Sequence, residues 1–182
     1  MTLETLALQG HSTVSRSMAS AIGNKVSEMR KALIKESFSD FRHMEHRMEY
    51  VANIHGIEFV NDSRATNVNS TWYALETMTK PVIWIAGGVD HCNDFECLIP
   101  MIQEKVRTII LLGQNNERLL ETLRPLEKPI TECMTMEEAV ETAYDKGRSG
   151  EVVLLSPACA SFDIFVDFEE RGKAFKDAVR KL

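Results

Sequence analysis

Residues 62–68 could bind an anion through the free backbone N–H groups of Thr66–Val68, with Arg64 adding positive charge. The stretch Asp62-Ser63-Arg64-Ala65-Thr66-Asn67 follows the apolar run Ile57–Val60 and precedes a segment with helical periodicity. The first N–H groups of a helix have no partner within the helix and attract negative charge, and Arg64 adds a cation. A structural role is also open, because Thr66 or Asn67 would serve as a helix N-cap. The two roles are compatible.

Two other loops have compositions that allow a ligand to come close. The pair Gly87-Gly88 follows the apolar run Val82–Ile85, although a tight turn also explains two glycines there. The run Ser156–Ser161 consists mainly of small residues, and its last hydroxyl could hydrogen-bond a carboxylate. For Cys159 in this run no general base can be identified, so we expect a packed, unreactive thiol.

Histidines and cysteines make a weaker case for a metal site. The residues that could take part in binding zinc are His43 and His46, with either His55 or the group His91, Cys92 and Cys97. Their spacing lacks the paired ligands of a structural zinc site, so we expect solvated histidines and no bound metal. The cysteines also fit no disulfide framework, which favours a reduced, cytoplasmic setting.

Three signatures of nucleotide chemistry are absent from the sequence. There is no GxxxxGK[ST] phosphate loop, no GxGxxG dinucleotide fingerprint, and no dense carboxylate cluster suited to two magnesium ions. If the loops described above serve ATP chemistry, much of the machinery must lie outside this chain.

The elements that must position these loops form a repeated pattern of strand, polar stop and helix. Repeated βα units predict an α/β fold with a Rossmann-like, mostly parallel sheet and right-handed crossovers. His55-Gly56 adds a hairpin turn, which predicts an antiparallel edge. The predicted strands are Glu49–Ile54, Ile57–Val60, Val82–Ile85, Thr108–Leu112, Ile130–Glu132 and Val152–Leu155. The predicted helices are Val68–Met78, Phe95–Gln103, Glu117–Leu123, Met136–Lys146 and Glu169–Lys181. Ligands of such sheets bind beyond the carboxyl ends of the strands, where the polar stops lie.

The 45 residues at the start differ from the rest and predict a short helical segment, with helices over Ser17–Ile22 and Lys25–Glu36. We therefore divide the chain at residues 1–45 and 46–182. We expect a monomer, and an apolar face with Val26, Met29 and Leu33 is where self-association would occur. The net charge of −6 and the lack of a long apolar run argue against nucleic acid and membrane as partners.

Several of these segments resemble the C-terminal domain of the Mur ligase family. The resemblance rests on IEFVNDSRATN (57–67), IWIAGGVD (83–90) and LLSPACASFDIF (154–165), supported by His46-Arg47-Met48-Glu49 and Phe168-Glu169-Glu170-Arg171-Gly172. It covers essentially all of residues 46–182, and residues 1–45 resemble the end of the family's central domain.

The resemblance implies part of an ATP-dependent ligase that adds D-glutamate to UDP-N-acetylmuramoyl-L-alanine in peptidoglycan synthesis, using Mg²⁺. By position, Arg47, Asp62 and Arg64 would contact the nucleotide. The residues implied to contact D-glutamate are Thr66, His91, Ser161, Phe162 and Phe168. The muramoyl substrate would be bound by domains outside this chain, so we expect the isolated chain to be inactive and to hold no cofactor tightly.

The sequence departs from the family pattern at several charged positions. Arg64 and His91 each replace a lysine, Val166-Asp167 replaces a lysine-asparagine pair, and a His and two Asn of the central domain align with Ser12, Thr13 and Arg16. A planar guanidinium is not equivalent to an ammonium, and histidine is mostly neutral at pH 7. An alternative is therefore a stand-alone, non-catalytic binding or scaffold domain derived from such a ligase.

Overall fold

The computed structural model describes residues 25, 28, 29, 32, 44–91 and 93–182. The chain divides into two compact units, Met1–Asp40 and Phe41–Leu182. In the first unit, Lys25, Glu28, Met29 and Ala32 are helical and exposed, within the stretch predicted to be a helix. The other residues of that stretch, the helix predicted over Ser17–Ile22 and the motif at Ser12, Thr13 and Arg16 lie outside the described residues. The predicted boundary after residue 45 stays a prediction.

The second unit contains a six-stranded sheet, as the alternating pattern predicts. The strands are β1 (Glu49–Ile54), β2 (Ile57–Asn61), β3 (Val82–Ala86), β4 (Val106–Leu112), β5 (Ile130–Cys133) and β6 (Val152–Leu155). Their order is β1-β2-β6-β3-β4-β5. β1 pairs antiparallel with β2, and all other pairs are parallel. The prediction of a mostly parallel sheet with an antiparallel hairpin edge is confirmed.

Among the described residues of this unit, four α-helices connect strands: α1 (Val68–Thr77), α2 (Ile99–Lys105), α3 (Glu117–Leu123) and α4 (Met136–Lys146). A fifth, α5 (Phe168–Arg180), follows β6. Where one helix is predicted over Phe95–Gln103, the chain forms a 3₁₀ turn over Phe95–Leu98 and then α2. Pro100 explains the break, because proline suits the first turn of an α-helix and has no N–H to donate inside one. A second 3₁₀ turn, Arg124–Leu126, follows α3.

The core lies between the sheet and the helices. β3 and β6 are buried along their whole length, as expected for central strands covered on both faces. α4 and α5 pack against one another and against the sheet, with Phe175 and Val140 fully buried. No helix within the described part of the chain has the length and apolar character needed to cross a membrane.

Candidate functional site

The polar stops at the ends of β2, β3, β4 and β6 lie along one edge of the sheet, which we call the rim. It comprises residues 61–67, 86–91, 113–116 and 156–162. The loop after β6 is its centre, because β6 lies between β2 and β3. Ala158 N–H donates to Ala65 O at 3.0 Å on one side, and on the other side Gly87 N–H donates to Pro157 O at 3.0 Å. The backbones of Val89 and Ala160 exchange two further hydrogen bonds of 2.9 and 3.0 Å.

The side chain of Arg171, in the first turn of α5, hydrogen-bonds to two of these loops. Its side chain is 2% exposed. Nε donates to Ser63 Oγ at 3.0 Å, Nη2 to Ser63 O at 2.9 Å, and Nη1 to Cys159 O at 3.2 Å. Burial lowers the pKa of Arg171 to about 10, so the group remains a cation at neutral pH. The β2 and β6 loops therefore share one buried cation.

Asp62 is a second buried charged residue at the rim, 4% exposed. One carboxylate oxygen accepts from Ser156 Oγ at 2.9 Å and the other from Met48 N–H at 3.2 Å. Burial raises the pKa of Asp62 to about 7, although hydrogen bonds from Ser156 and Met48 and the charges of Arg47 and Arg171 partly oppose this shift. In this structure the carboxylate therefore links three segments of the chain.

The two glycines after β3 are required by close contacts. Both have positive φ, and a Cβ on Gly87 would lie 2.3 Å from Leu112 O, while one on Gly88 would lie 2.1 Å from Ala160 O. The chain bends at Gly88, and the tight turn considered for this pair is not shown. Gly87 also packs against the buried side chain of Asn116, whose amide nitrogen donates to Gly113 O at 3.0 Å. The β4 loop, for which the sequence suggested no role, therefore packs against Gly87.

The rest of the β3 loop is fixed by side chains. Asp90 accepts from Asn93 N–H at 2.8 Å and forms an ion pair with Arg118 of α3. Arg118 Nη2 also donates to Asn93 O at 3.4 Å, and Asn93 Nδ2 donates to Ala158 O at 3.3 Å. Between these anchors His91 is exposed.

The other predicted site residues lie near the rim with different exposures. Arg64 is exposed, and its guanidinium lies 5.3 Å from the centre of the Phe168 ring. Burial is the main cause that lowers the pKa of Arg47, and the neighbouring positive charge of Arg64 lowers it further. The negative charge of Asp62 opposes this shift. Ser161 is buried, whereas Phe162 is 68% exposed.

The start of α1 shows which residue of the loop 62–67 is the helix N-cap, since the sequence left Thr66 and Asn67 as alternatives. Asn67 is the N-cap, because its side-chain oxygen accepts from Ser70 N–H at 3.0 Å. Thr66 is half-buried, and its N–H donates to Arg64 O at 2.8 Å. That N–H is therefore already used within the chain and is not available for the predicted anion contact of this loop.

His46 corrects one expectation from the sequence. It is 3% exposed rather than solvated, and its Nδ1 lies 3.0 Å from Asn61 Nδ2. The amide nitrogen of Asn61 can only donate, so Nδ1 is the acceptor in this contact. Burial lowers the pKa of His46. A Cβ on Gly172 would lie 2.2 Å from this nitrogen, so the ring occupies the space that a side chain at 172 would need. His43 lies outside the described residues.

Cys159 is buried, and burial raises the pKa of its thiol to about 12, as suits the packed, unreactive role expected. Within residues 44–91 and 93–182, no three His, Cys, Asp or Glu side chains are grouped so that they could hold a metal ion. Cys92 lies outside the described residues.

A concavity of about 490 Å³ lies away from the rim, next to the start of β3. Its lining residues are Met78, Thr79, Lys80, Pro81, Glu104 and Lys105. The Lys105 ammonium donates to the carbonyls of Leu75, Glu76 and Met78 at the end of α1. The Lys105 ammonium therefore caps the C-terminal end of α1. Because this cation of the concavity already has a structural role, we place the functional site at the rim.

Sequence reasoning missed Arg171, Asn116 and Arg118 as organising residues. One signal was available for Arg171: it is spaced four and eight residues before Phe175 and Val179, on the apolar side of α5. A charged residue at such a position must find buried partners. Asn116 and Arg118 gave no comparable signal, because their contacts with the β3 loop join residues 25 to 28 positions apart.

A comparison with protein-family models finds that the Mur ligase, glutamate ligase domain model matches residues 46–159. The chain belongs to the Mur ligase family. It is 44% identical over 182 residues to the UDP-N-acetylmuramoylalanine–D-glutamate ligase of Christiangramia forsetii. That alignment covers 100% of this chain and 41% of the relative, so the chain spans less than half the length of that ligase.

Solved structures of low sequence identity share the fold. UDP-N-acetylmuramate–alanine ligase from Thermotoga maritima matches with a TM-score of 0.53 at 14% identity, over 80% of this chain and 32% of that one. A folylpolyglutamate synthase/dihydrofolate synthase from Yersinia pestis, solved with AMPPNP and a Mn ion, matches with a TM-score of 0.53 at 15% identity. That match covers 76% of this chain and 32% of the other.

Proposed function

We propose that this chain is the C-terminal part of a cytoplasmic, ATP-dependent ligase that adds D-glutamate to UDP-N-acetylmuramoyl-L-alanine. The observation that carries the proposal is the rim: four loops joined by one hydrogen-bond network present Arg64, His91 and Phe168 at the carboxyl edge of the sheet. The 44% identity to a ligase of that name over the whole chain supports this substrate.

In the proposed reaction, ATP phosphorylates the carboxylate of UDP-N-acetylmuramoyl-L-alanine, which gives an acyl phosphate and ADP. The amine of D-glutamate then attacks the acyl carbon, and phosphate leaves as the amide forms. Such a reaction depends on orientation and on closure against water rather than on a protein nucleophile. The inert Cys159 thiol is consistent with that requirement.

Within that scheme, this chain would bring D-glutamate to the acyl phosphate. Thr66, His91 and Ser161 would bind its polar groups, and the exposed Phe162 ring with Phe168 would cover its side-chain methylenes. Arg47, Arg64 and Asp62 would contact ATP. The Asp62 carboxylate accepts one bond on each oxygen and has lone pairs left for a ribose hydroxyl, but because it is 4% exposed, that contact requires its surroundings to move.

We place Mg²⁺ with ATP in the part of the ligase that this chain does not span. The described residues group no three ligands suitable for the ion. A divalent ion would there neutralise charge on the transferred phosphoryl group, while Arg47 and Arg64 of this chain would contact the nucleotide.

Calorimetric titration of the 182-residue chain tests the rim directly. We expect weak, saturable binding of D-glutamate and of ADP, with D-glutamate preferred over L-glutamate. Ser161→Ala should weaken D-glutamate binding, whereas Ser149→Ala, an exposed serine in the turn before β6, should leave it unchanged. If neither ligand binds at millimolar concentration, the ligand-binding role is wrong and the scaffold alternative remains.

Two activity measurements test the division of labour. The isolated chain should release no phosphate from ATP in the presence of D-glutamate, and release that depends on both compounds would contradict the proposal. A chimera in which this chain replaces the aligned segment of the Christiangramia forsetii ligase should release phosphate only when D-glutamate and UDP-N-acetylmuramoyl-L-alanine are both present. An intact, folded chimera without this activity would favour the scaffold role.

A further inference from the structure

Among the described residues of α3, Arg118 is the one whose side chain contacts two residues of the β3 loop, Asp90 and Asn93. These two residues lie on either side of His91, in the part of the loop that we call its tip. One guanidinium nitrogen forms an ion pair with Asp90 Oδ2, and a second donates to Asn93 O at 3.4 Å. Asp90 Oδ1 in turn accepts from Asn93 N–H at 2.8 Å. The side chain of Asp90 is 11% exposed and that of Arg118 is 56% exposed. The Asp90 side chain is therefore mostly buried, whereas more than half of the Arg118 side chain is exposed to solvent.

The residue between these anchors is His91, which is exposed and belongs to the predicted amino-acid site. The base of the loop is fixed independently by the Val89–Ala160 hydrogen bonds. At the other end of the tip, Asn93 Nδ2 also donates to Ala158 O. The tip, in contrast, depends on side chains. A guanidinium suits this task because its planar fork can serve a carboxylate and a carbonyl together, which a single ammonium does less well.

We infer that Arg118 is a positioning residue that holds the β3 loop, and with it His91, in the geometry that binds the acidic amino acid. This inference rests on the proposed function of the rim. Arg118 acts through Asp90 and Asn93, and its ion pair with Asp90 already occupies one side of the guanidinium.

A simple charge effect has to be separated from positioning. Arg118 could favour an anionic ligand merely by its positive field, and its removal would then weaken binding without any change in the loop. The two explanations differ in the effect of Asp90. Removing the negative charge of Asp90 should strengthen binding of an anion if only the field matters, but should weaken it if the Asp90–Arg118 clamp positions the loop.

The experiment compares Arg118→Gln and Asp90→Asn in the 182-residue chain, with D-glutamate as the titrant. Both variants should weaken the affinity by about fivefold, which is the scale of one partly exposed ion pair. The double variant should lose no more than either single one, because the two residues act as a unit. Arg180→Gln and Asp177→Asn form the matched control, since that exposed pair lies at the end of α5. Neither control should change the affinity.

A second measurement reads the loop without any ligand. The {¹H}-¹⁵N heteronuclear NOE of the His91 and Asn93 amides should fall in Arg118→Gln and in Asp90→Asn, but not in the Arg180 and Asp177 controls. Opposite changes in affinity for the two clamp variants, or unchanged NOE values, overturn the inference. If the NOE values fall but the unchanged chain does not bind D-glutamate, the proposed function fails and the affinity role of Arg118 fails with it, while its hold on the loop stands.

Discussion

The two ends of the sheet bury charged side chains in different ways. Where the strands begin, Glu151 receives two hydrogen bonds from Arg107, with N···O distances of 2.5 and 2.7 Å, in a bidentate ion pair. At the rim, the hydrogen bonds of Asp62 and Arg171 run to neutral groups: a hydroxyl and an N–H for the acid, a hydroxyl and two carbonyls for the base.

This difference distinguishes Glu151 from Asp62 and Arg171, although the rim also contains the Asp90–Arg118 ion pair. A bidentate ion pair cancels its own charge, so little field extends beyond it. A charge held by neutral dipoles keeps its field, at the cost of a pKa that shifts towards the neutral form. Asp62 and Arg171 show such shifts, upward for the acid and downward for the base. The rim can therefore respond to charged ligands and to pH.

The largest expected effect comes from removing the buried cation of the rim. Arg171→Met should lower the free energy of unfolding by about 3–5 kcal/mol, because the carbonyls of Ser63 and Cys159 would lose their donor while remaining buried. Urea denaturation followed by circular dichroism measures this. Arg180→Met, at an exposed position of the same helix, is the control. A loss below about 1 kcal/mol for Arg171→Met would show that water replaces the guanidinium.

The pH dependence of stability tests the buried acid. The folded chain holds the Asp62 proton up to pH about 7, whereas an unfolded aspartate titrates near pH ~4. The native state therefore binds more protons between these values, and stability contributed by Asp62 falls as pH rises from about 4 to 7, by up to about 4 kcal/mol.

Asp62→Asn is the variant that isolates this contribution. It keeps an acceptor for the Met48 N–H but cannot titrate. The free energy of unfolding of the unchanged chain minus that of Asp62→Asn, measured by urea denaturation at several pH values, should decrease across the window. A difference that does not vary with pH would mean that the carboxylate ionises normally in the fold.

At the opposite end, breaking the ion pair should cost less. Glu151→Gln should lower the free energy of unfolding by about 1–2 kcal/mol, because the Arg107 side chain is 31% exposed and can turn to water. Glu137→Gln, which removes a 3.4 Å ion pair between exposed side chains, should cost a few tenths of a kcal/mol at most. A cost for Glu151→Gln as large as that for Arg171→Met would remove the distinction between the two ends.

A smaller effect on stability than that of Glu151→Gln is expected for an exposed cation at the rim. Arg64→Gln removes the contact with the Phe168 ring and should cost about 0.5–1 kcal/mol in unfolding free energy. The same variant should weaken ADP binding in the titration proposed above by a larger factor than it weakens D-glutamate binding. Equal effects on the two ligands would assign Arg64 to the general field of the rim.

The helices and strands could be predicted from local sequence patterns, because the periodicity of each one depends only on the residues of its own segment. Glu117–Leu123, Met136–Lys146 and Val152–Leu155 have the predicted bounds. β4 begins at Val106, two residues earlier than predicted, because Val106 pairs with Val82 of β3 across an irregular register. That extension depends on a neighbouring strand and could not be deduced from the segment itself.

The site was less accessible from sequence, since its connections cross long distances along the chain. Ser63 and Arg171 are 108 residues apart, and Asp62 and Ser156 are 94 apart. Periodicity has no information about such pairs, whereas the resemblance to a family indicated the loops that they join. The ligand contacts assigned to Arg47, Asp62, Arg64, Thr66, His91, Ser161, Phe162 and Phe168 stay predictions until ligands are titrated.

The central place of β6 has a consequence for how the chain acquires its structure during synthesis. β6 is the last of the six strands of this sheet in chain order, yet it lies between β2 and β3. Until residues 152–155 emerge, the hairpin β1–β2 and the group β3–β4–β5 each expose a strand edge that has no neighbour. Completion of the sheet therefore waits for almost the whole second unit to be translated, and nascent chains that stall before Val152 are the species most exposed to aggregation.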